Sequence, residues 1–446
     1  MRLLPVLVAL AAVLLSLRLS SRSSPRLSSG VSYSVSPALP APLPADDRLT
    51  RMMERHFLDK GLEAPEHFAF DHAGDIFFGV ADGRIMRTRA DAVTGALSEP
   101  QLVVYTGDPS LVDRLHPCGS EESEAICGRP LGMAFDAAGL LLVADSYLGL
   151  LEIDPASRTK RVLLREVDGR PLYFANSVVV GPKTGLVYFT DSSSRWRRRE
   201  FIYEVLEAAP TGRLIAFDRV RKEARVLAHN LAFPNGILVD PRAEKFLLFN
   251  ELNRARILRF DLTKQPASKA LPAVDAAAVL PTDGRPAAQD ASSSALSILL
   301  DNLPGIPDNL AWESAAASGS VSSGPAYFWV GCGTKRTRPF SLTDFLAGWP
   351  SVRATLAALV PKEFFLKLVP RIGLLLRVEV ADVTTGREAR IAEALQDPAG
   401  ARSALLTGAY EHRGYLYIGS ISHDVKFVGR IPWGAANRTD ATHRWN

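Results

Sequence analysis

Four oxygen-bearing residues of this 446-residue chain hold the same place in a recurring motif. Glu66 in PEHFAFDHAG, Asn176 in ANSVVVGPKTG, Asn235 in PNGILVDPRAE and Asp308 in PDNLAWE are each followed five residues later by Asp71, Gly181, Asp240 or Glu313, and then by a strand pattern. Two further copies carry leucine instead, Leu131 in PLGMAFDAAG and Leu406 in LLTGAYEHRG, with Asp136 and Glu411 five residues on. Two carboxylates and two amide oxygens, without His or Cys, form the ligand set a hard cation such as Ca²⁺ prefers, and Asn309 beside Asp308 adds another oxygen. Asp308 is also the candidate catalytic base, able to give one oxygen to the ion and accept a proton on the other. His67 and His423 are alternatives, although an isolated histidine in a strand context is more often structural.

These residues can meet only if the copies are wound around one axis. Self-similarity at irregular intervals of about 45 to 100 residues marks a β-propeller with unequal loops, and six copies predict six blades. The innermost strand of each blade runs beside the axis, so equivalent strand-start residues form a ring around the channel. Apolar runs such as DIFFGVADGRIMRTR, LLLVADSYLGLLEID and FLLFNELNRARILRFDL read as strand, polar turn, strand. Asp145, Asp191 and Glu251 recur after second-strand patterns, which suits turn and inter-blade hydrogen bonding better than catalysis. The fold class is all-β: a six-bladed β-propeller over residues 51–432, with an N-terminal apolar helix and a short helical insertion in a late blade. Residues 263–296, rich in Ala, Pro, Ser and Asp, read as an exposed, mobile insertion. Residues 338–370 carry apolar side chains at helical spacing broken by Pro350 and Pro361. Short helices there suit a lid over the channel, a membrane-docking face or packing on a blade edge.

A hydrophobic fraction of 47% and a charged fraction of 22% exclude global disorder. The net charge of +4 comes from interspersed charges and gives no argument for nucleic acid. The densest basic run, Arg195–Arg199, reads as a solvated rim loop. Leu3–Leu17 is an apolar stretch with the length of a signal-peptide core, so residues 1–19 direct the chain into the secretory pathway. A retained segment predicts a single-pass anchor in the ER or plasma membrane, and a cleaved one a secreted or lumenal protein. Residues 20–50 read as a flexible Ser/Pro-rich tether and 433–446 as a C-terminal tail. Cys118 and Cys127 bracket a short polar loop, and a disulfide there is worth about 2–3 kcal/mol; two free thiols are the alternative, and Cys332 is left over. Asn437 lies in a glycosylation sequon.

The run FANSVVVGPKTGLVYFTDSSSRWRRREFIYEVLEAAPTGRLIAFD, followed by LAFPNGILVDP and LPGIPDNL, resembles the strictosidine synthase-like family. CGRPLGMAFD, VADSYLGLLEIDP, YEHRGYLYIGSI and FSLTDFLAGWP resemble its branch of adipocyte plasma membrane-associated proteins. The resemblance implies a six-bladed propeller and, in this branch, often an N-terminal membrane anchor. More distantly the chain is similar to paraoxonases and gluconolactonases, whose central calcium is held by Glu, Asn and Asp. That pattern falls on Glu66, Asn176, Asn235, Asp308 and Asn309. Two departures limit the carry-over. The place of the synthase's catalytic glutamate is held by Thr407, so strictosidine synthesis is not expected. The place of the paraoxonase histidine is held by Leu131.

No Gly-rich dinucleotide loop, P-loop, GxSxG elbow or HExxH helix occurs in the sequence. The expectation is a calcium-dependent hydrolase acting on a small ester or lactone, with possible membrane association and no nucleic-acid partner. The alternative is a non-catalytic, calcium-stabilised binding platform at a membrane or in the secretory lumen.

Overall fold

The computed structural model describes residues 39–112, 116–265, 271–280, 294–314, 324–382 and 384–434. The N-terminal apolar segment, most of the tether and Asn437 lie outside the described residues.

Six antiparallel sheets of four strands each, one with an added fifth strand, make the propeller that the repeats predict. The first strands of blades two to six are Pro130–Phe135, Ala175–Val180, Pro234–Val239, Gly305–Trp312 and Leu406–His412; that of blade one is Phe68–Phe70. Each blade proceeds outward through hairpins. The sixth borrows its outermost strand from the start of the chain, Glu54–His56, which pairs with Val428–Pro432. This closure leaves blades one and six joined by both chain ends, with each blade keeping only a short outer edge. The core lies between blades, where side chains from facing sheets interlock: Leu248, Phe328, Leu376 and Val378 between blades four and five are fully buried.

Five of the six inner strands slip register where the ring residues lie. The shifts fall between Pro130 and Gly132, Ala175 and Val178, Pro234 and Ile237, Pro307 and Leu310, and Leu406 and Gly408. An extra residue in one strand of a pair bends that strand and re-aims its side chains. In the sixth blade the shift brackets Thr407, so Thr407 and not Leu406 corresponds to Leu131. A slip of one residue exchanges the two faces of a strand, and Leu406 accordingly packs with Trp329, Leu375 and Leu395 in the core.

The blades are stitched to one another at the ring. Thr190 donates its hydroxyl to the backbone oxygen of Asn235 (2.7 Å), Thr407 to that of Glu66 (2.7 Å), and the Asn250 amide to that of Asp308. Asp145, Asp191 and Glu251 take the hydrogen-bonding role expected of them, Asp145 also in its turn, where it accepts from the Tyr147 and Leu148 N–H groups (3.0 Å each). Each accepts a backbone N–H just ahead of its own blade's inner strand, from Arg129 (2.8 Å), Phe174 (2.9 Å) and Ala232 (2.7 Å).

The insertion lies within blade four, between its third strand Arg256–Asp261 and its fourth, Leu296–Leu300. Val274–Asp275 adds the fifth strand to blade three, parallel to its outer strand, and Ala276 and Leu280 are buried beside it. The helical insertion falls between the second and third strands of blade five. The helix α1 (Phe201–Glu207) occupies the equivalent place in blade three, and α2 (Leu342–Ala347), α3 (Pro350–Leu359) and α4 (Lys362–Leu368) make up the insertion. Trp196, Ile202, Tyr203 and Leu206 pack against Ala357, Val360 and Phe365, so the insertion and blade three clasp each other. Buried Arg353 completes the joint by donating to the terminal carbonyls of α1 at Leu206 (2.6 Å) and Glu207 (3.1 Å).

Close approach at the ring requires glycine at position 236. A Cβ there would lie 2.6 Å from the Asp308 carbonyl oxygen and 2.7 Å from the Asn309 Cα. Gly236→Ala is expected to lower stability by about 1–3 kcal/mol through forced separation of blades four and five. Urea unfolding measures it, and an unchanged midpoint would contradict this packing.

Candidate functional site

A cavity of about 330 Å³ opens from the ring toward the helical insertion. Its polar floor carries Glu66, Asn176, Asn235 and Asp308; its walls are Leu131, Phe174, Phe201, Val205, Phe233 and Leu252 among others, and Thr343, Leu366 and Val369 of the insertion line its outer part. Four of the five expected metal-ligating residues therefore share one cavity. Asn309 is fully buried but is not among the lining residues.

The floor is short of protons. The side-chain oxygens Asn176 Oδ1, Asn235 Oδ1 and Asp308 Oδ1 are buried and accept no hydrogen bond. The orientation of Asn176 is imposed, because its amide nitrogen donates to Ser192 Oγ (2.9 Å), whose own hydroxyl is donated to the Pro234 carbonyl (2.7 Å). An unsatisfied buried acceptor costs roughly 1–3 kcal/mol. Three such oxygens beside a second carboxylate fit a hard divalent cation, since both carboxylates and amides are hard donors. Among the described residues no group of three or more His, Cys, Asp and Glu side chains is placed to hold a metal, so any ion here depends on the two amides.

Both carboxyls feel the burial. The Glu66 carboxyl is raised by burial, which Arg129 and Arg198 partly offset. The Asp308 carboxyl is raised well above the usual range by burial and by the Glu66 charge. Burial pushes His67 down to about 3, so it is neutral at physiological pH, with its ring against Tyr410 at 4.6 Å. His423 sits at the cavity rim with Nδ1 3.3 Å from Glu63.

Two arginines missing from the expected ring alter its charge. Buried Arg129 places Nη2 3.4 Å from Glu66 Oε2, and burial together with Arg198 lowers it to about 10. Arg198 pairs with Glu124 Oε1 at 2.5 Å, and Tyr147 donates to Glu124 Oε2 at 2.6 Å. The basic run Arg195–Arg199 is therefore not a solvated rim loop: Trp196 and Arg198 are buried, and Arg195, the most exposed of the five, pairs with Glu207 at 3.1 Å. Arg129 was open to discovery from sequence, since it stands two residues ahead of Leu131 as Phe174 stands two ahead of Asn176. Arg198 offered no such signal, because its partner Glu124 lies in the loop between Cys118 and Cys127. Those two cysteines form a disulfide, Cys332 is free and buried, and Glu121 of the same loop pairs with Lys362 of α4.

A six-bladed propeller with a polar ring on its axis under a helical cover defines the class. The chain belongs to the strictosidine synthase-like family, in the branch of adipocyte plasma membrane-associated proteins. The family model for strictosidine synthase matches residues 176–265 and that for the strictosidine synthase-like N-terminal region residues 48–88. The adipocyte plasma membrane-associated protein of Homo sapiens is 32% identical over 375 residues, covering 83% of this chain and 76% of its own. Protein strictosidine synthase-like 2 of Arabidopsis thaliana is 34% identical over 289 residues, covering 64% of this chain and 65% of its own. Among solved structures, a gluconolactonase from Xanthomonas campestris has 13% identity and a TM-score of 0.48, covering 90% of this chain and 98% of its own. A calcium-binding regucalcin from Agrobacterium tumefaciens has 12% identity and a TM-score of 0.48, covering 88% and 98%. No helix among the described residues is long and apolar enough to cross a membrane.

Glu204 on α1 ties the cover to pH. It is fully buried, accepts a hydrogen bond from Ser193, and burial raises its carboxyl from 4.5 to about 8. A raised acid holds its proton more tightly folded than unfolded, so its contribution is complete below pH 4.5 and is lost as pH rises to about 8. Glu204→Gln is expected to flatten the decline in the urea midpoint between pH 4.5 and 8. Equal slopes in variant and wild type would show that Glu204 ionises freely.

Proposed function

We propose that the protein is a calcium-dependent hydrolase of small esters or lactones. The observation that carries this reading is the set of three oxygens without a hydrogen-bond donor, Asn176 Oδ1, Asn235 Oδ1 and Asp308 Oδ1, gathered with Glu66 on the floor of a cavity whose walls are mostly apolar. Glu66, Asn176, Asn235 and Asp308 would hold the ion, with Asn309 backing Asp308 from the same strand. Bound there, calcium would supply polarisation of an ester or lactone carbonyl and stabilisation of the developing oxyanion.

The residues of the chain supply the rest. Leu131, Phe174, Phe233 and Leu252 bind the hydrocarbon part of a substrate and exclude bulk water, which strengthens every charge interaction at the floor. Asp308 is the candidate base. Burial and the Glu66 charge raise its proton affinity, which makes it a stronger base than an ordinary carboxylate. Arg129, with Nη2 3.4 Å from Glu66 Oε2, offsets part of the burial that raises the Glu66 carboxyl. Lactone ring opening by a histidine at the start of the second blade is unsupported, because Leu131 stands there.

A second reading, a calcium-stabilised platform without turnover, is favoured by the stitching of ring carbonyls to neighbouring blades, which makes the same site a structural hub. One preparation separates the two. Calorimetric titration with calcium and hydrolysis of phenyl acetate and a γ-lactone are measured with and without chelator. Turnover is expected to vanish with chelator and to fall by roughly a hundredfold or more in Glu66→Gln and Asp308→Asn. Calcium binding with no turnover of any ester or lactone makes the protein a platform; absence of calcium binding ends both readings.

A further inference from the structure

The cover over the channel turns its largest apolar side chains outward. Among the described residues, sixteen large apolar side chains are exposed, and eight of them lie between Phe340 and Leu368. Every exposed Phe and Trp in that set belongs to this segment: Phe340 and Phe345 before and on α2, Trp349 between α2 and α3, and Phe364 on α4. The inward sides of the same helices are already used, Ala357, Val360 and Phe365 against blade three and Leu366 and Val369 toward the cavity. An aromatic face of this extent, on helices otherwise well packed, is a contact surface rather than scattered surface apolarity.

What lies against it follows from three features. Exposed Lys335, Arg338 and Lys367 flank the aromatic residues, and none of the three is in an ion pair among the described residues. Trp with Phe and Leu, edged by three exposed bases against one exposed acid, Glu363, is the composition that seats helices in the headgroup region of an anionic bilayer. The chain also enters the described structure beside this face, where Arg338 donates its backbone N–H to the Pro40 carbonyl (3.0 Å) and Nε to the Leu39 carbonyl (3.2 Å). In sequence, the apolar stretch Leu3–Leu17 ends only 21 residues before Leu39. Extended, that length reaches at most about 70 Å.

We infer that Phe340, Phe345, Trp349, Phe364 and Leu368 form a membrane-docking face that lays the channel mouth on the surface of a lipid bilayer. The inference concerns binding and does not rest on hydrolysis.

The full chain is mixed with vesicles of phosphatidylcholine and phosphatidylserine carrying brominated acyl chains, and tryptophan emission is compared between wild type and Trp349→Phe. That variant preserves the apolar face and removes one of six tryptophans. The expected result is a quenched component in wild type, absent from Trp349→Phe, diminished without phosphatidylserine and lost when Phe345→Ser and Phe364→Ser are combined. Aqueous iodide should not reach Trp349 once vesicles are added. Equal bromolipid quenching in wild type and Trp349→Phe overturns the inference. So does a Trp349 still open to iodide, which leaves the face in water, or one shielded from both quenchers, which gives the face to a second copy or another protein.

Discussion

A buried oxygen without a protein donor needs water or a cation to complete it, and several such oxygens meet at the axis of this protein. Closing six sheets about an axis brings six strand starts together where neither water nor ladder hydrogen bonds are plentiful. The backbone oxygens at that point are satisfied by the neighbouring blade, through Thr190, Asn250 and Thr407. The side-chain oxygens are not, and Asn176 is even turned so that its amide nitrogen faces Ser192 and its oxygen faces the floor. Leaving acceptors bare is destabilising in isolation. It becomes favourable if folding is coupled to capture of a positive charge, because binding energy for a ligand of the native state alone adds directly to stability.

Charge balance decides how strong such a site can be. Burial raises both carboxyls, and repulsion from Glu66 raises Asp308 further. Arg129 offsets part of that rise at Glu66, while Arg198 is itself drawn away by Glu124. The relay makes the disulfide loop part of the site, since Glu124 lies between Cys118 and Cys127. A buried cluster of this kind is sensitive to removal of one partner, which would leave the others uncompensated.

The register of the ring was legible because an inner strand leaves a durable trace: a special residue, then a turn residue five positions later, then a strand. Glu66, Asn176, Asn235 and Asp308 were found this way and share one cavity. The sixth copy misled because its hairpin between His412 and Tyr415 is tighter than the others, so counting back from Glu411 lands on Leu406. The tripeptides Pro-Leu-Gly, Pro-Asn-Gly and Leu-Thr-Gly align Thr407 with Leu131 and Asn235, a cue local to the bulge itself. Arg198 was illegible for another reason. A run of arginines reads as solvated unless carboxylates distant in sequence are known to meet it, and Glu124 lies 74 residues away. The closing strand Glu54–His56 is short and polar, and only its partner in blade six makes it a strand.

Thr407 marks where this ring differs from one with a carboxylate at the sixth position. Condensation of an amine with an aldehyde needs a carboxylate at the sixth ring position to move protons. Thr407 cannot take that part, and its hydroxyl is already committed to the backbone oxygen of Glu66, where it fixes the joint between the last blade and the first. Replacing a proton carrier with a stitch trades chemistry at that point for rigidity at the seam of the ring. On the floor the carboxyl groups are Asp308 and Glu66, the same two that would hold an ion, while Glu121 and His423 stand elsewhere on the cavity lining.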